Sequence, residues 1–268
     1  MAKLTKPEWR AHAAAADLLD ASRPLTGDEC EQVLHNWNPG AINDQTSSGV
    51  FFTPVSLAMD FHLEVPQGGR VVDLCAGIGT LAYFATGRHW YAQTRPRYDR
   101  IFCVERNPAF VAVGKRLLPE ATWICGDVLD PEVLQQIGVV DFAFCNPPFG
   151  RMMQSPFSAP RYHGGEAEFK VLDVATTLAP SGAAIIPRMS APFDSVGSFK
   201  RRPSPKYSAF QEAVGVTLDG GVGIDPEYHR SSWKGVSPSV EIVAWDFENY
   251  GDTPRPVLQP AQQLALAV

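Results

Sequence analysis

The sequence predicts an α/β fold organised around a parallel sheet with helices on both faces. Three observations lead there. Short apolar runs at 71–75, 101–104, 122–125, 139–145 and 183–186 alternate with helix-length segments, which is the rhythm of βαβ units. The chain has 268 residues, 45% of them apolar, enough for a sizeable core in one large domain or two small ones. After residue 186 the rhythm breaks, leaving a long basic loop, a helix at 207–214 and two closing strand candidates at 216–218 and 240–247.

Taken in order, residues 7–21 make an Ala-rich helix with Pro7 near its first turn. Thr26 and Glu29 form a capping box for a second helix ending near residue 37. Residues 38–49 are a polar loop. Thr53 is expected to cap a third helix, with Pro54 at its first position. Further helices are expected at 79–85, 108–118, 131–137 and 166–178, and the Tyr-, Trp- and Arg-rich stretch 88–100 reads as an insertion. This divides the chain into an N-terminal helical lid or packing layer (1–48), a main domain (49–250) and a Pro-rich tail (251–268).

The chemistry gathers where the fourth apolar run stops, at Asn146, Pro147, Pro148 and Phe149. Two successive prolines cannot donate ladder hydrogen bonds, so the strand ends there. The break leaves a side-chain carbonyl, a main-chain carbonyl and an aromatic face, which together suit a planar group bearing an NH2, such as adenine. Asn and Pro are also ordinary turn residues, so on its own the quartet is equally a plain strand ending. At the end of the first strand, Asp73 is followed by Ala76-Gly77-Ile78-Gly79, a turn whose glycines let the backbone approach a ligand. Such a turn serves dinucleotides and S-adenosylmethionine alike.

Bulk properties exclude some classes. A net charge of −6 argues against tight non-specific nucleic-acid binding by the whole surface. No apolar run is long enough to span a membrane and no export signal is visible, so a cytoplasmic location is expected. Cys75, Cys103, Cys125 and Cys145 lack metal-ligand spacing and read as small buried hydrophobes; no metal is expected.

The order of motifs, Val50 to Pro54, then Val71 to Gly79, Val104-Glu105, Gly126-Asp127 and Asn146 to Phe149, resembles the gamma-type S-adenosylmethionine-dependent adenine-N6 DNA methyltransferases. That resemblance implies a Rossmann-like, mostly parallel seven-stranded sheet with an antiparallel edge hairpin. It implies S-adenosylmethionine as cofactor, held by Phe51, Phe52, Thr53, Asp73, Ala76, Gly77, Gly79, Glu105, Asp127 and Asn146. Asp73 would attract the ammonium, Glu105 the ribose hydroxyls and Asp127 the adenine amine; Glu105 alone is also readable as a solvated strand-end charge. Asn146 to Phe149 would grip the target amine, and a dehydrogenase would have no use for them.

The loops 151–165 and 188–206 carry an excess of Arg and Lys in an acidic chain. With 225–239 they are expected to form a phosphate-facing rim, using Arg151, Tyr162, Lys200, Arg201, Arg202, Trp233 and Lys234. DNA is the expected partner, flipped out or single-stranded, with a short recognition site or help from another subunit. An RNA adenine-N6 methyltransferase, a protein glutamine methyltransferase and a non-catalytic cofactor-binding subunit are the competing readings.

Overall fold

The computed structural model describes residues 4–41, 51–87, 97–151 and 153–251. Most of its helices begin where local chemistry starts them. Thr5 with Glu8 and Thr26 with Glu29 form capping boxes for α1 (Lys6–Leu19) and α2 (Gly27–Asn36). Asn107 and Asp130 each accept a backbone N–H at the start of α5 (Pro108–Leu117) and α6 (Pro131–Ile137), both opened by proline. The third helix, α3 (Val55–Phe61), departs from expectation: its cap position is Pro54, not Thr53, and it has no side-chain cap. The remaining helices are α4 (Thr80–Ala85), α7 (Ala167–Leu178) and α8 (Pro205–Val214).

Six strands form the main sheet, in the order β3 (Thr122–Cys125), β2 (Arg100–Glu105), β1 (Arg70–Leu74), β4 (Phe142–Cys145), β5 (Ser181–Pro187) and β8 (Val240–Asp246). All pairings are parallel except that of β5 with β8. Side chains alternate across the sheet as strand geometry requires. Val71, Ile101, Phe142 and Ile185 face the layer containing α1 to α5, while Val72, Phe102, Ala143 and Ile186 face α6 to α8.

The expected seventh strand is reduced to one bridge, Asp219 with Ala244. Val216 and Leu218 are buried as a strand would bury them, and the Leu218 N–H, on the edge away from β8, donates to the Tyr207 hydroxyl (3.0 Å). Conversely, the basic loop after β5 holds a short hairpin, β6 (Phe193–Asp194) with β7 (Lys200–Arg201), that the sequence did not suggest.

The N-terminal helices are tied to the body by two cations. Arg116 on α5 donates to the carbonyls of Leu19, Ala21 and Arg23, just past α1. The Lys234 ammonium donates to the carbonyls of Leu34 (3.3 Å) and Trp37 (2.9 Å), closing the C-terminal end of α2. Burial brings the Lys234 pKa down to about 8. Among the described residues, no helix is long and apolar enough to cross a membrane. Segments 42–50 and 252–268, with most of the 88–100 insertion, lie outside the described residues.

Candidate active site

A cavity of about 750 Å³ opens beyond the carboxyl ends of β1, β2, β3 and β4. This is where the strand order reverses, between β1 and β4, and where open parallel sheets hold ligands. Its wall contains Phe51, Phe52, Thr53, Asp73, Ala76, Gly77, Glu105 and Asp127 together with Asn146, Pro147, Pro148 and Phe149. Motifs scattered over the sequence thus converge on one space. Gly79 is the exception among the glycine-turn candidates: with φ of +87° it starts α4, and a Cβ there would come 3.0 Å from the Trp123 ring. Its work is the turn, not the cavity wall.

The first loop is drawn tight against the second. Glu105 accepts the Gly77 N–H on one carboxylate oxygen (2.9 Å) and the Asn107 N–H on the other (2.7 Å). Gly77, at φ +58°, lies under the Phe52 ring, which a Cβ would approach to 3.2 Å. Phe52 in turn stacks on Trp37 at 5.7 Å and meets Phe110 edge-on at 5.1 Å. Cys75 takes a positive φ of 64° without being glycine, a strained backbone position inside the same turn.

Three carboxylates ring this half of the cavity. Asp73 is 1% exposed, and neither of its oxygens has a hydrogen-bond partner. Burial drives its pKa well above the usual Asp range and the charge of Glu105 adds to this. The Ala82 backbone N–H opposes the shift without reaching hydrogen-bond geometry. Burial also raises Glu105, against the pull of the N–H groups of Asn107 and Gly77. Asp127 accepts the Leu129 N–H on Oδ1 at 2.9 Å, closing an Asx turn after β3.

In the other half, the Asn146 Nδ2 donates to the Thr53 hydroxyl at 2.8 Å. The bond aims the amide, and the Asn146 Oδ1 is left buried with no partner. Buried acceptors are nearly always satisfied, so an orphan on a cavity wall marks a place reserved for a donor. Phe149 stands beside it, half-buried against the α1 to α5 core.

No protein-family model matches this chain, and no curated protein does. Solved structures do. The methyltransferase subunit of a type I restriction-modification system from Streptococcus thermophilus superposes with a TM-score of 0.56 at 17% identity, over 82% of this chain and 48% of that one. A protein from Vibrio vulnificus assigned as a type I modification subunit gives 0.56 at 16%, over 84% and 50%. A Listeria monocytogenes protein assigned to the class I S-adenosylmethionine-dependent methyltransferases gives 0.55 at 13%, over 83% and 69%. This chain has the class I methyltransferase fold. It spans about half the length of the two restriction-modification subunits.

Around the class I cavity, the expected basic rim needs correction. Trp233 is 5% exposed and belongs to the core facing α1 to α5, so its ring has no free face for a base. Lys234 is spent on α2, as described above. Tyr162 is buried with its hydroxyl donating to Glu166 at 2.7 Å. Arg201 pairs with Asp219 at 2.6 Å. Arg161, Arg188, Lys206 and Arg230 also have carboxylate partners, in Asp173, Asp194, Glu166 and Glu227. Among the described residues, Arg151, Lys200 and Arg202 are the exposed cations of these loops with no carboxylate at ion-pair distance. Asp173, Asp219 and Glu166, which pair with Arg161, Arg201 and Lys206, lie outside the loop segments that hold those cations, and a segment-by-segment charge count does not register them.

The sequence reading also missed wall residues of this class I cavity. Arg106 lines it and donates to the Gln154 carbonyl, so the segment after Phe149 folds over toward β2. Phe110 and Met153 add apolar surface. Arg106 follows Glu105 directly, and that adjacency was the available signal. Among the cysteines, Cys125 is exposed, not buried as expected.

Proposed function

We propose that this chain transfers the methyl group of S-adenosylmethionine to the exocyclic N6 amine of adenine in DNA. One observation carries the reading above all others: the buried, partnerless Asn146 Oδ1, aimed by Thr53 and set beside Phe149 in the cavity that holds Asp73, Glu105 and Asp127. Residues 49–250 would be the catalytic unit, and 1–48 an extension buttressing the Phe52 wall through Trp37.

The donor set fits the cofactor's chemistry. A ligand bearing an ammonium and a sulfonium suits a cavity half lined by three carboxylates, and Asp73 has two unpartnered oxygens to offer a cation. The Glu105 carboxylate, with an N–H on each oxygen, has further lone pairs to offer ribose hydroxyls. Asp127 keeps its second oxygen for an amine. When bound, S-adenosylmethionine supplies an electrophilic methyl.

The rest follows from the chain's own groups. The amine of adenine is a weak nucleophile because its lone pair is delocalised into the ring. Asn146 Oδ1 accepts one amine hydrogen and the Pro147 carbonyl the other, which favours pyramidalisation and localises the lone pair. Phe149 stacks on the ring and holds it in line. Positioning and preorganised acceptors, not a strong base, carry the rate. The target base must leave any helix, at a cost of a few kcal/mol.

The direct test is purified protein with labelled S-adenosylmethionine and, in turn, duplex DNA, heat-denatured DNA, RNA and a glutamine-containing peptide. Label recovered from DNA as N6-methyladenine is expected. Label confined to the peptide or to RNA overturns the DNA assignment, and N4-methylcytosine in the digest would change the target base.

A further inference from the structure

The loop that carries Asn146 to Phe149 is fixed at both ends, and the second fixing point uses a residue so far without a role. Glu168 is the second residue of α7 and is 1% exposed. Its Oε2 accepts the Gly150 N–H at 2.7 Å, and its Oε1 accepts the Ser190 hydroxyl at 2.6 Å. The Gly150 carbonyl accepts the Ala167 N–H at 2.6 Å, so both polar groups of Gly150 are held at the start of α7. Gly150 itself sits at φ +61°, a conformation that a side chain would strain.

Helix stability does not explain this arrangement. A first-turn carboxylate gains its favourable interaction with the helix dipole while facing water. Burying it adds a desolvation cost that only good hydrogen bonds offset. Here both go to loops: the one leaving β4, which borders the cavity, and, through the buried Ser190, the one leaving β5. Between the Thr53 bond to Asn146 and the Glu168 bond to Gly150 lie only Pro147, Pro148 and Phe149.

We infer that Glu168 is a positioning residue: its carboxylate sets the aim of the Pro147 carbonyl and the Phe149 ring, and yokes that loop to the segment leaving β5. The inference deepens the proposed methyl transfer and rests on it for its kinetic consequences. Its structural consequence stands apart. Chemistry also separates two substitutions. In Glu168→Gln the amide oxygen can keep the Gly150 N–H, and the amide NH2 can donate to Ser190, whose hydroxyl accepts as readily as it donates. Glu168→Ala keeps neither bond.

Two readouts test this. Amide hydrogen exchange should show the Gly150 N–H protected in the wild-type protein and in Glu168→Gln, and unprotected in Glu168→Ala. Steady-state kinetics should show kcat down about 100-fold in Glu168→Ala, the scale of a misplacement near 1 Å, with the cofactor Kd within about two-fold and Gln restoring most of the rate. Unchanged protection in Glu168→Ala, a kcat within about two-fold of wild type, or a Gln variant no better than Ala overturns the inference. If Glu168→Ala does not fold, Ser190→Ala takes its place: a several-fold loss of kcat at constant cofactor Kd supports the yoke, and an unchanged kcat overturns it. A wild-type protein that protects Gly150 through Glu168 yet methylates nothing sinks the proposed function and leaves the tether standing.

Discussion

The cavity and the loops around it treat polar groups in opposite ways. On the loops, Arg161, Arg188, Arg201, Lys206 and Arg230 each have a carboxylate partner, that of Arg161 being the fully buried Asp173. Inside, where an unpaired polar atom is costly, both oxygens of Asp73 and the Oδ1 of Asn146 have none. Solvent can satisfy an exposed charge, so exposed pairs such as Arg201 with Asp219 add little. A buried polar atom without a partner costs free energy, which a ligand supplying donors would return. Arg188 Nε and Trp233 Nε1 also lack hydrogen-bond partners but lie off the cavity wall, so the proposed site rests on the Asp73 and Asn146 atoms, which combine both features.

The strongest way to break this contrast is Asn146→Ala. It should lower kcat by roughly 10²–10³-fold, the scale for removing one preorganised hydrogen-bond partner of a transition state. Cofactor affinity, measured by calorimetry, should stay within a few-fold; an equal loss there would assign Asn146 to the other ligand. Next comes Asp127→Ala, expected to weaken cofactor binding by about 1–3 kcal/mol, the cost of one buried hydrogen bond left unmade. A normal Kd would remove Asp127 from the set.

Asp73→Asn should move stability and binding in opposite directions. The folded protein raises the Asp73 pKa, so the stability from keeping this group protonated is complete below the ordinary Asp range and is lost as pH rises through the raised value. At neutral pH the Asn variant, free of that penalty, should melt higher than wild type, with the gap closing in acid. It should also bind the cofactor more weakly, since Asn offers no charge to an ammonium. A lower Tm at pH 7 would refute the buried-charge account. The smallest effect belongs to the exterior: Arg201→Ala, which breaks an exposed pair, should change stability by no more than about 0.5 kcal/mol in denaturant titration.

Much of the fold was legible because its determinants are local. A cap residue followed by proline starts a helix wherever it occurs, and Asn107-Pro108 and Asp130-Pro131 are such starts. The cavity wall was legible because four of the five short motifs sit at the ends of β1 to β4, which converge by topology, and the fifth, ending at Pro54, leads into α3. What stayed hidden depends on partners distant in sequence. Thr53 looked like a helix cap, but α3 starts at Val55 with Pro54 at the cap position, and the Thr53 hydroxyl accepts instead from Asn146, distant in sequence. Trp233 and Lys234, in a polar loop, gave no sign of being folded inward against α2. The seventh strand is reduced to the Asp219–Ala244 bridge, which nothing local in 216–218 foretold. Glu168 carried no signal at all, since its two bonds reach back to Gly150 and forward to Ser190.

The Lys234 ammonium has a consequence for trimming the protein. Removing residues 4–37 would delete more than an outer layer: it would strip a buried cation of both acceptors and bare the Phe52 face that Trp37 covers. Such a shortened chain should accumulate in inclusion bodies, whereas one shortened only within α1 before Ala15 should still be recovered from the supernatant. The head of the polypeptide and the approach to its last strand are in that sense one joint, and neither can be cut away without opening the other.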